Sequence, residues 1–322
     1  MHRKQSSSQR RVLIPGATGF IGQRLLPFLL DKGVPMRLLV RTPSKLPDEI
    51  RTNKDVEIVQ GDLLTQEGLH EALEGIDTAY YLVHSMGGKS LFRNIEYAEK
   101  DKRAASNFIA AANKGGLQRV IYLGALGEKA EELSEHLQSR AEVAEILSSG
   151  NASATILRAA IIIGAGGSSF EMLRYLVERL PVMGCPKWIE TKIQPIALRD
   201  VITYLTGCMD NPETEGQTFD ICGPDIMSYR EMMQNYAEAR GLAKRLIVRV
   251  PFLTPLISAY WVDLVTPIPS GVAHPLIEGL KNDVVCRDNS IQQLIPIELI
   301  PFKEAVKIAF SEERDGPGVT GW

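Results

Sequence analysis

The sequence predicts an α/β protein: a doubly wound parallel sheet followed by a smaller, mainly helical C-terminal lobe. Three observations carry that prediction. Short runs rich in Val, Ile, Leu and Tyr alternate with longer helix-like segments between Arg11 and Ala165, the order in which strands and helices succeed one another around a parallel sheet. Several of these runs are apolar throughout instead of alternating, as strands covered on both faces require. The 322 residues also exceed one small domain and leave room for a lobe after the sheet.

Taken in order, residues 1–10 read as a basic, Ser-rich tail that is expected to be disordered. The sheet domain, 11–165, draws its strands from Val12–Pro15, Met36–Arg41, Val56–Gln60, Ala79–Val83, Arg119–Gly124 and Ala154–Arg158. Helices are expected between them over Phe20–Asp31, Gln66–Leu73, Arg93–Lys114 and Ser134–Ser149. The longest sets Ile95, Ala98, Ala105, Phe108, Ile109 and Ala112 on one face, and Gly115-Gly116 supplies the left-handed cap that ends it. Pro27 inside the first helix costs about 3 kcal/mol, so a kink or a 3₁₀ turn is expected there. After Ile163 the pattern loosens into the lobe, 166–322. Ser168 with Glu171 and Ser228 with Glu231 have capping-box spacing and predict helices over 169–180 and 229–240. The segment 195–224 is expected to return to the sheet.

Composition excludes several classes. With 36 cations against 39 acids the formal charge is −3, and the four cations among residues 1–11 leave −7 for the rest. A basic stripe is therefore absent, and no nucleic-acid partner is expected. No stretch reaches the roughly 18–20 apolar residues of a bilayer-spanning helix, and the start lacks the apolar segment of an export signal. A cytoplasmic protein is expected. Its cysteines, Cys185, Cys208, Cys222 and Cys286, are scattered without paired spacing, the pattern of reduced thiols. Neither a disulfide nor a zinc site is expected.

The run Gly16-Ala17-Thr18-Gly19-Phe20-Ile21-Gly22 follows the first strand and opens the first helix. In that setting glycines let the backbone approach a pyrophosphate, and the helix N-terminus offers free N–H groups with the positive end of the dipole. These residues predict a Rossmann-type dinucleotide site. The end of the second strand speaks to which dinucleotide. An acid there would hold a ribose 2′-hydroxyl, but the chain reads Arg41-Thr42-Pro43-Ser44-Lys45, with no carboxylate before Asp48. Arg41 and Lys45 suit a 2′-phosphate, so NADP(H) is expected over NAD(H).

Together these motifs resemble the atypical and extended short-chain dehydrogenase/reductase superfamily, in particular NAD(P)-binding proteins of the bacterial YbjT type. Those are related to NmrA-like regulators and to the cofactor-holding accessory subunit of respiratory complex I. The likeness runs from Arg11 to about Phe310. It rests on the glycine loop, Gly61-Asp62-Leu63, Tyr81-Leu82-Val83-His84-Ser85-Met86, His136-Leu137-Gln138-Ser139-Arg140, Leu157-Arg158-Ala159 through Gly164-Ala165-Gly166, Phe170-Glu171, Pro195-Ile196-Ala197 and Gly223-Pro224. The resemblance implies that Asp62 and Leu63 lie against the adenine, although Asp62 also suits a helix cap.

The resemblance further implies catalysis by a Ser or Thr after strand five and a Tyr-x-x-x-Lys pair. This chain departs from both: strand five ends in Gly124-Ala125-Leu126, and His136-x-x-x-Arg140 stands where the Tyr and Lys belong. Four residues apart on a helix, His136 and Arg140 still share a face. Arg140 can hold a ribose but cannot act as acid or base, whereas His136, with an ordinary pKa near ~6.5, can supply a proton or serve a structural role. Val83 and His84 fall at the carboxyl edge of the sheet, where open α/β folds bind ligands, and His84 is read as a cleft-lining residue or a polar strand end.

In the second half, Ala165–Phe170 and Lys187–Pro195 are expected to face the cofactor, with Trp188 prominent. Pro251–Ile268 and Val272–Leu280 are apolar on nearly all sides. They read as a buried helical core or dimer contact, with a pocket or membrane-surface patch for a lipid- or quinone-like molecule as the alternative. The expected function is an NADPH-dependent oxidoreductase on a small or apolar carbonyl or quinone, with the proton from His136 or solvent. Its alternative is a catalytically silent NADP(H) sensor or assembly scaffold, with a homodimer or protein partner.

Overall fold

In a computed structural model of the chain, the described residues are 11–84, 94–127, 135–250, 265–269, 272–273, 277, 279 and 282–315. The expected basic tail, residues 85–93 and most of the expected all-apolar stretches from 251 to 280 lie outside them.

The sheet is built from β1 (Val12–Pro15), β2 (Met36–Val40), β3 (Val56–Gln60), β4 (Thr78–Tyr81), β5 (Arg119–Ala125), β6 (Ser153–Ala159) and β11 (Thr218–Ile221). Their order is β11-β6-β5-β4-β1-β2-β3, and every pair is parallel. The chain starts at β1, winds out to β3, returns to β4 and winds the other way, so the direction reverses between β1 and β4. In open α/β sheets that reversal opens a crevice beyond the carboxyl ends of the strands.

Alternation along the strands divides the core into two layers. Val12, Ile14, Leu38, Tyr80, Ile121 and Leu157 pack beneath α1 (Phe20–Asp31) and α7 (Leu198–Asp210). Leu13, Leu39, Ala79, Tyr81, Val120 and Tyr122 pack beneath α3 (Leu69–Leu73), α4 (Asn94–Gly115) and α5 (Glu135–Ser148). A third cluster fills the lobe. It is built on α6 (Ser168–Arg179), α8 (Tyr229–Ala239) and α10 (Phe302–Asp315), and includes Ile268, Val272, Ala273 and Ile277 of the expected all-apolar stretch.

Several local expectations change for physical reasons. The helix expected from Gln66 begins three residues late, at Leu69, because Gln66 and Gly68 both have φ of +65°, which no helix accommodates. Pro27 stands exposed inside α1, which runs through to Asp31. Gly116 ends α4 at φ +73°. The capping box of Ser228 and Glu231 forms, but that of Ser168 and Glu171 does not. Gly167 is the N-cap of α6, and the buried Glu171 carboxylate reaches past it to accept from the Gly166 N–H at 3.0 Å.

Cys185 and Cys208 are free thiols as expected, but the expected absence of a disulfide is corrected: Cys222 and Cys286 are joined across 64 residues. Cys222 follows the edge strand β11. The stretch carrying Cys286 lies beside β9 (Lys192–Ile193), where Val284 N–H donates to Lys192 O and Gln194 N–H to Val284 O. No spacing in the sequence reports that approach.

Asp200, in the first turn of α7, is buried and accepts from the Ile300 N–H at 3.0 Å, tying the chain before α10 to the sheet domain. Burial pushes its carboxyl up to about 6. A raised folded value means that this group's contribution is lost as pH rises from near 4 through 6. Asp200→Asn keeps the acceptor without the charge. Its melting temperature should therefore exceed the parent's at pH 8, with the gain shrinking as pH falls through 6 and disappearing near pH 4.

Candidate functional site

The loop between β1 and α1 is held against the end of β4 at van der Waals distance. Gly16 has φ +85°, and a Cβ there would lie 2.5 Å from the Leu82 carbonyl oxygen. A Cβ on Gly22 would lie 2.3 Å from the Gly16 oxygen, so the first turn of α1 can seat on its own loop only without one. Gly19 differs: a Cβ there would meet open space apart from Gly16 O at 3.2 Å. It is the N-cap of α1, with no side-chain cap and no acid in the first turn. The N–H groups of Phe20, Ile21 and Gly22 precede the first intrahelical bond, Gln23 N–H to Gly19 O at 3.0 Å. Thr18 is fixed through its carbonyl, which accepts from Gln23 Nε2 at 3.0 Å. Two glycines thus shape the cradle and the third leaves it accessible to an anion, as a pyrophosphate site requires.

From this cradle a cavity of about 270 Å³ extends along the carboxyl edge of the sheet. Phe20, Ile21, Leu82, Leu123, Ala159 and Ile162 make its apolar wall, Gly124 and Ala125 its floor at the end of β5, and Ser168 and Ser169 the start of α6. His84 and Arg140 are the ionisable groups set among them. Val83, beside His84, instead packs toward the layer under α4.

His84 Nδ1 lies 2.8 Å from Asp101 Oδ2, and Asp101 is buried on α4. Loss of solvent, reinforced by the Arg140 charge and opposed by Asp101, pushes His84 down to about 4. It is therefore neutral at pH 7, and the Asp101 carboxylate accepts from Nδ1–H. Arg140 Nη1 is 3.5 Å from the Tyr122 hydroxyl, while its Nε is buried without a hydrogen-bond partner among the described residues. His136 stands in the first turn of α5, one turn before Arg140, but its side chain lies outside the described residues.

At the other end of the sheet, Arg41 and Lys45 are exposed beyond β2, and neither is in an ion pair among the described residues. Asp62 Oδ1 accepts from the Leu64 N–H at 2.7 Å, closing the turn after β3. Leu63 is buried in the core, with its carbonyl accepting from Asn107 Nδ2.

Residues 16–168 match the NAD(P)H-binding protein family. This segment is an NAD(P)H-binding domain with a Rossmann-type fold. The chain carrying it is 27% identical over 314 residues to a ceramide reductase of Caulobacter vibrioides, covering 97% of this chain and 95% of that protein. It is 24% identical over 303 residues to the mitochondrial NADH dehydrogenase (ubiquinone) 1 alpha subcomplex subunit 9 of Arabidopsis thaliana, covering 89% and 73%. Triphenylmethane reductase of Citrobacter sp., solved with NADP(H), shares the fold at a TM-score of 0.71 with 20% identity, over 92% of this chain and 99% of that one.

Asp101 and Tyr122 are not among the residues that the sequence pointed to. Asp101 was visible in principle, since it interrupts the apolar face formed by Ala98, Ala105, Phe108 and Ala112 on α4. An acid inside such a stripe must find a partner. Tyr122 carries no comparable signal.

Two outcomes test the domain's geometry. Gly16→Ala should lower thermal stability and abolish dinucleotide binding together. Gly19→Ala should melt like the parent yet bind NADPH at least about tenfold more weakly in calorimetric titration, because its methyl occupies the pyrophosphate approach. Separately, a folded His84 value below the ordinary 6.5 means that stability is lost as pH falls from 6.5 toward 4. Denaturant titrations of His84→Asn should show a shallower loss over that window.

Proposed function

We propose that this protein is an NADPH-dependent reductase of an apolar carbonyl or quinone substrate. The observation supporting this reading is the cleft itself: an apolar wall continuous with the glycine cradle, with His84 and Arg140 as its ionisable groups. When bound, the cofactor supplies the hydride. The chain's residues would then hold and orient. Gly16, Thr18, Gly19, Phe20, Ile21 and Gly22 receive the pyrophosphate, Asp62 and Leu63 flank the adenine, and Arg140 donates to the nicotinamide ribose. His84 lines the nicotinamide end, with Val83 packed behind it. Neutral His84, with its Nδ1 proton directed at Asp101, is an acceptor rather than the proton source, so the acid is His136 or solvent.

The preference for NADPH rests on Arg41 and Lys45, two exposed cations without an acid partner among the described residues, just past the end of β2 where a 2′-phosphate would lie. Removing both, as Arg41→Ala with Lys45→Ala, should weaken NADPH binding about tenfold or more while changing NADH binding little, since each lost charge-assisted contact contributes about 1.5 kcal/mol or more. Equal losses for the two cofactors would overturn the preference.

A second reading is favoured by one specific feature: Gly124 and Ala125 stand where the superfamily's catalytic hydroxyl belongs. It makes the protein a silent NADP(H) binder that serves as a sensor or scaffold, and one relative is a respiratory-complex subunit. Turnover of NADPH against a panel of apolar aldehydes, ketones and quinones separates the two. Saturable turnover supports the reductase. Tight binding with no turnover across the panel supports the silent binder.

A further inference from the structure

A surface away from the cleft carries a pattern of its own. The five large apolar side chains exposed among the described residues are Phe28, Val182, Ile226, Leu246 and Val248. Scattered exposure of this kind is ordinary, but clustering is not. Three of the five share one face. β8 (Val182–Cys185) and β13 (Leu246–Arg249) form a two-stranded parallel sheet, with Val182 opposite Leu246, Met183 opposite Ile247 and Gly184 opposite Val248. Met183 and Ile247 turn inward to the lobe core. Val182, Leu246 and Val248 turn outward at 57%, 59% and 46% exposure, with Gly184 between them. Ile226, at 58%, borders the adjoining groove that Leu246 also lines.

The charges around this face are asymmetric. Lys187, Lys244 and Arg249 are exposed and enter no ion pair among the described residues. The neighbouring acids are committed: Glu190 to Arg230 at 2.7 Å, Glu231 to its capping box and to Lys192, and Asp225 to the Phe302 N–H. An apolar centre with uncommitted cations at its rim combines the two signals that hold a peripheral protein on an anionic bilayer. A second copy of the chain is the poorer fit, because self-pairing would bring the same cations together.

We infer that the outward face of β8 and β13 is a docking surface for an anionic lipid bilayer. The face also has a fixed relation to the cleft. Helix α6 starts at the cavity with Ser168 and Ser169 and leads through Leu180 and Pro181 into β8, so its 12 residues set a separation of about 18 Å. The inference rests on this face alone and stands whether or not the reductase reading does.

The test is co-sedimentation of the full chain with vesicles of phosphatidylcholine, with and without about a third phosphatidylglycerol. Binding should require the anionic lipid and be lost at high salt. The double variant Leu246→Glu with Val248→Glu should abolish it. Lys187→Glu with Lys244→Glu should weaken it at least about tenfold, since each cation near such a surface contributes a severalfold factor. Both variants should keep the parent's NADPH affinity and melting temperature. Three results would overturn the proposal: no preference for the anionic vesicles, variants that bind as the parent does, or a parent dimer in sedimentation that Leu246→Glu with Val248→Glu splits into monomers.

Discussion

The site depends on one steric constraint, the approach of the β1–α1 loop to the end of β4. A backbone at φ +85° with no room for a Cβ beside Leu82 is possible only at glycine. Once Gly16 takes that conformation, Gly22 must also lack a side chain for α1 to start where it does. The helix N-terminus then points across the carboxyl edge of the sheet, and Phe20 and Ile21 enter the cleft wall. Gly167 completes the arrangement from the lobe side, where a Cβ would sit 3.0 Å from the Phe20 ring. Glycine loop and cleft are therefore one packed unit.

Beside that unit, the strands bring together groups that are far apart in the chain. Asp101 on α4, His84 after β4, Tyr122 on β5 and Arg140 on α5 form a polar patch inside otherwise apolar packing. Its charges are balanced so that the histidine stays neutral. Burial and the guanidinium disfavour the imidazolium, and the carboxylate opposes them without prevailing. Burial likewise raises the Tyr122 hydroxyl. The patch therefore presents fixed hydrogen-bonding groups at neutral pH, which suits the orientation of a ribose or a carbonyl better than proton exchange at His84.

The lobe is fastened to the sheet by several kinds of bond. The disulfide at Cys222 anchors the edge strand β11 to the stretch beside β9, and Gln194 reinforces the same junction by donating to Gly223 O and accepting from the Cys286 N–H. Gly223 itself cannot carry a Cβ, which would meet Pro195 O at 2.3 Å. Asp220 ties Arg158 on the neighbouring strand to the Arg287 backbone. These contacts all lie on the carboxyl side of β6 and β11, so they hold the lobe next to the cleft.

The sequence by itself determined whatever depends on neighbours along the chain. The strand, glycine loop and helix at Val12–Asp31 are local, as are the uninterrupted apolar strands, the cap at Gly116 and the box at Ser228, because their physics is contained within a few residues. The absence of an acid after β2 was equally plain. Only the tertiary structure decided the rest. It paired Cys222 with Cys286 across 64 residues, matched Asp101 with His84, placed β11 at the sheet edge, and turned Glu171 from a capping role to Gly166. Those outcomes depend on which distant backbones pack at van der Waals distance. That is a property of the closed core, which spacing along the chain does not encode.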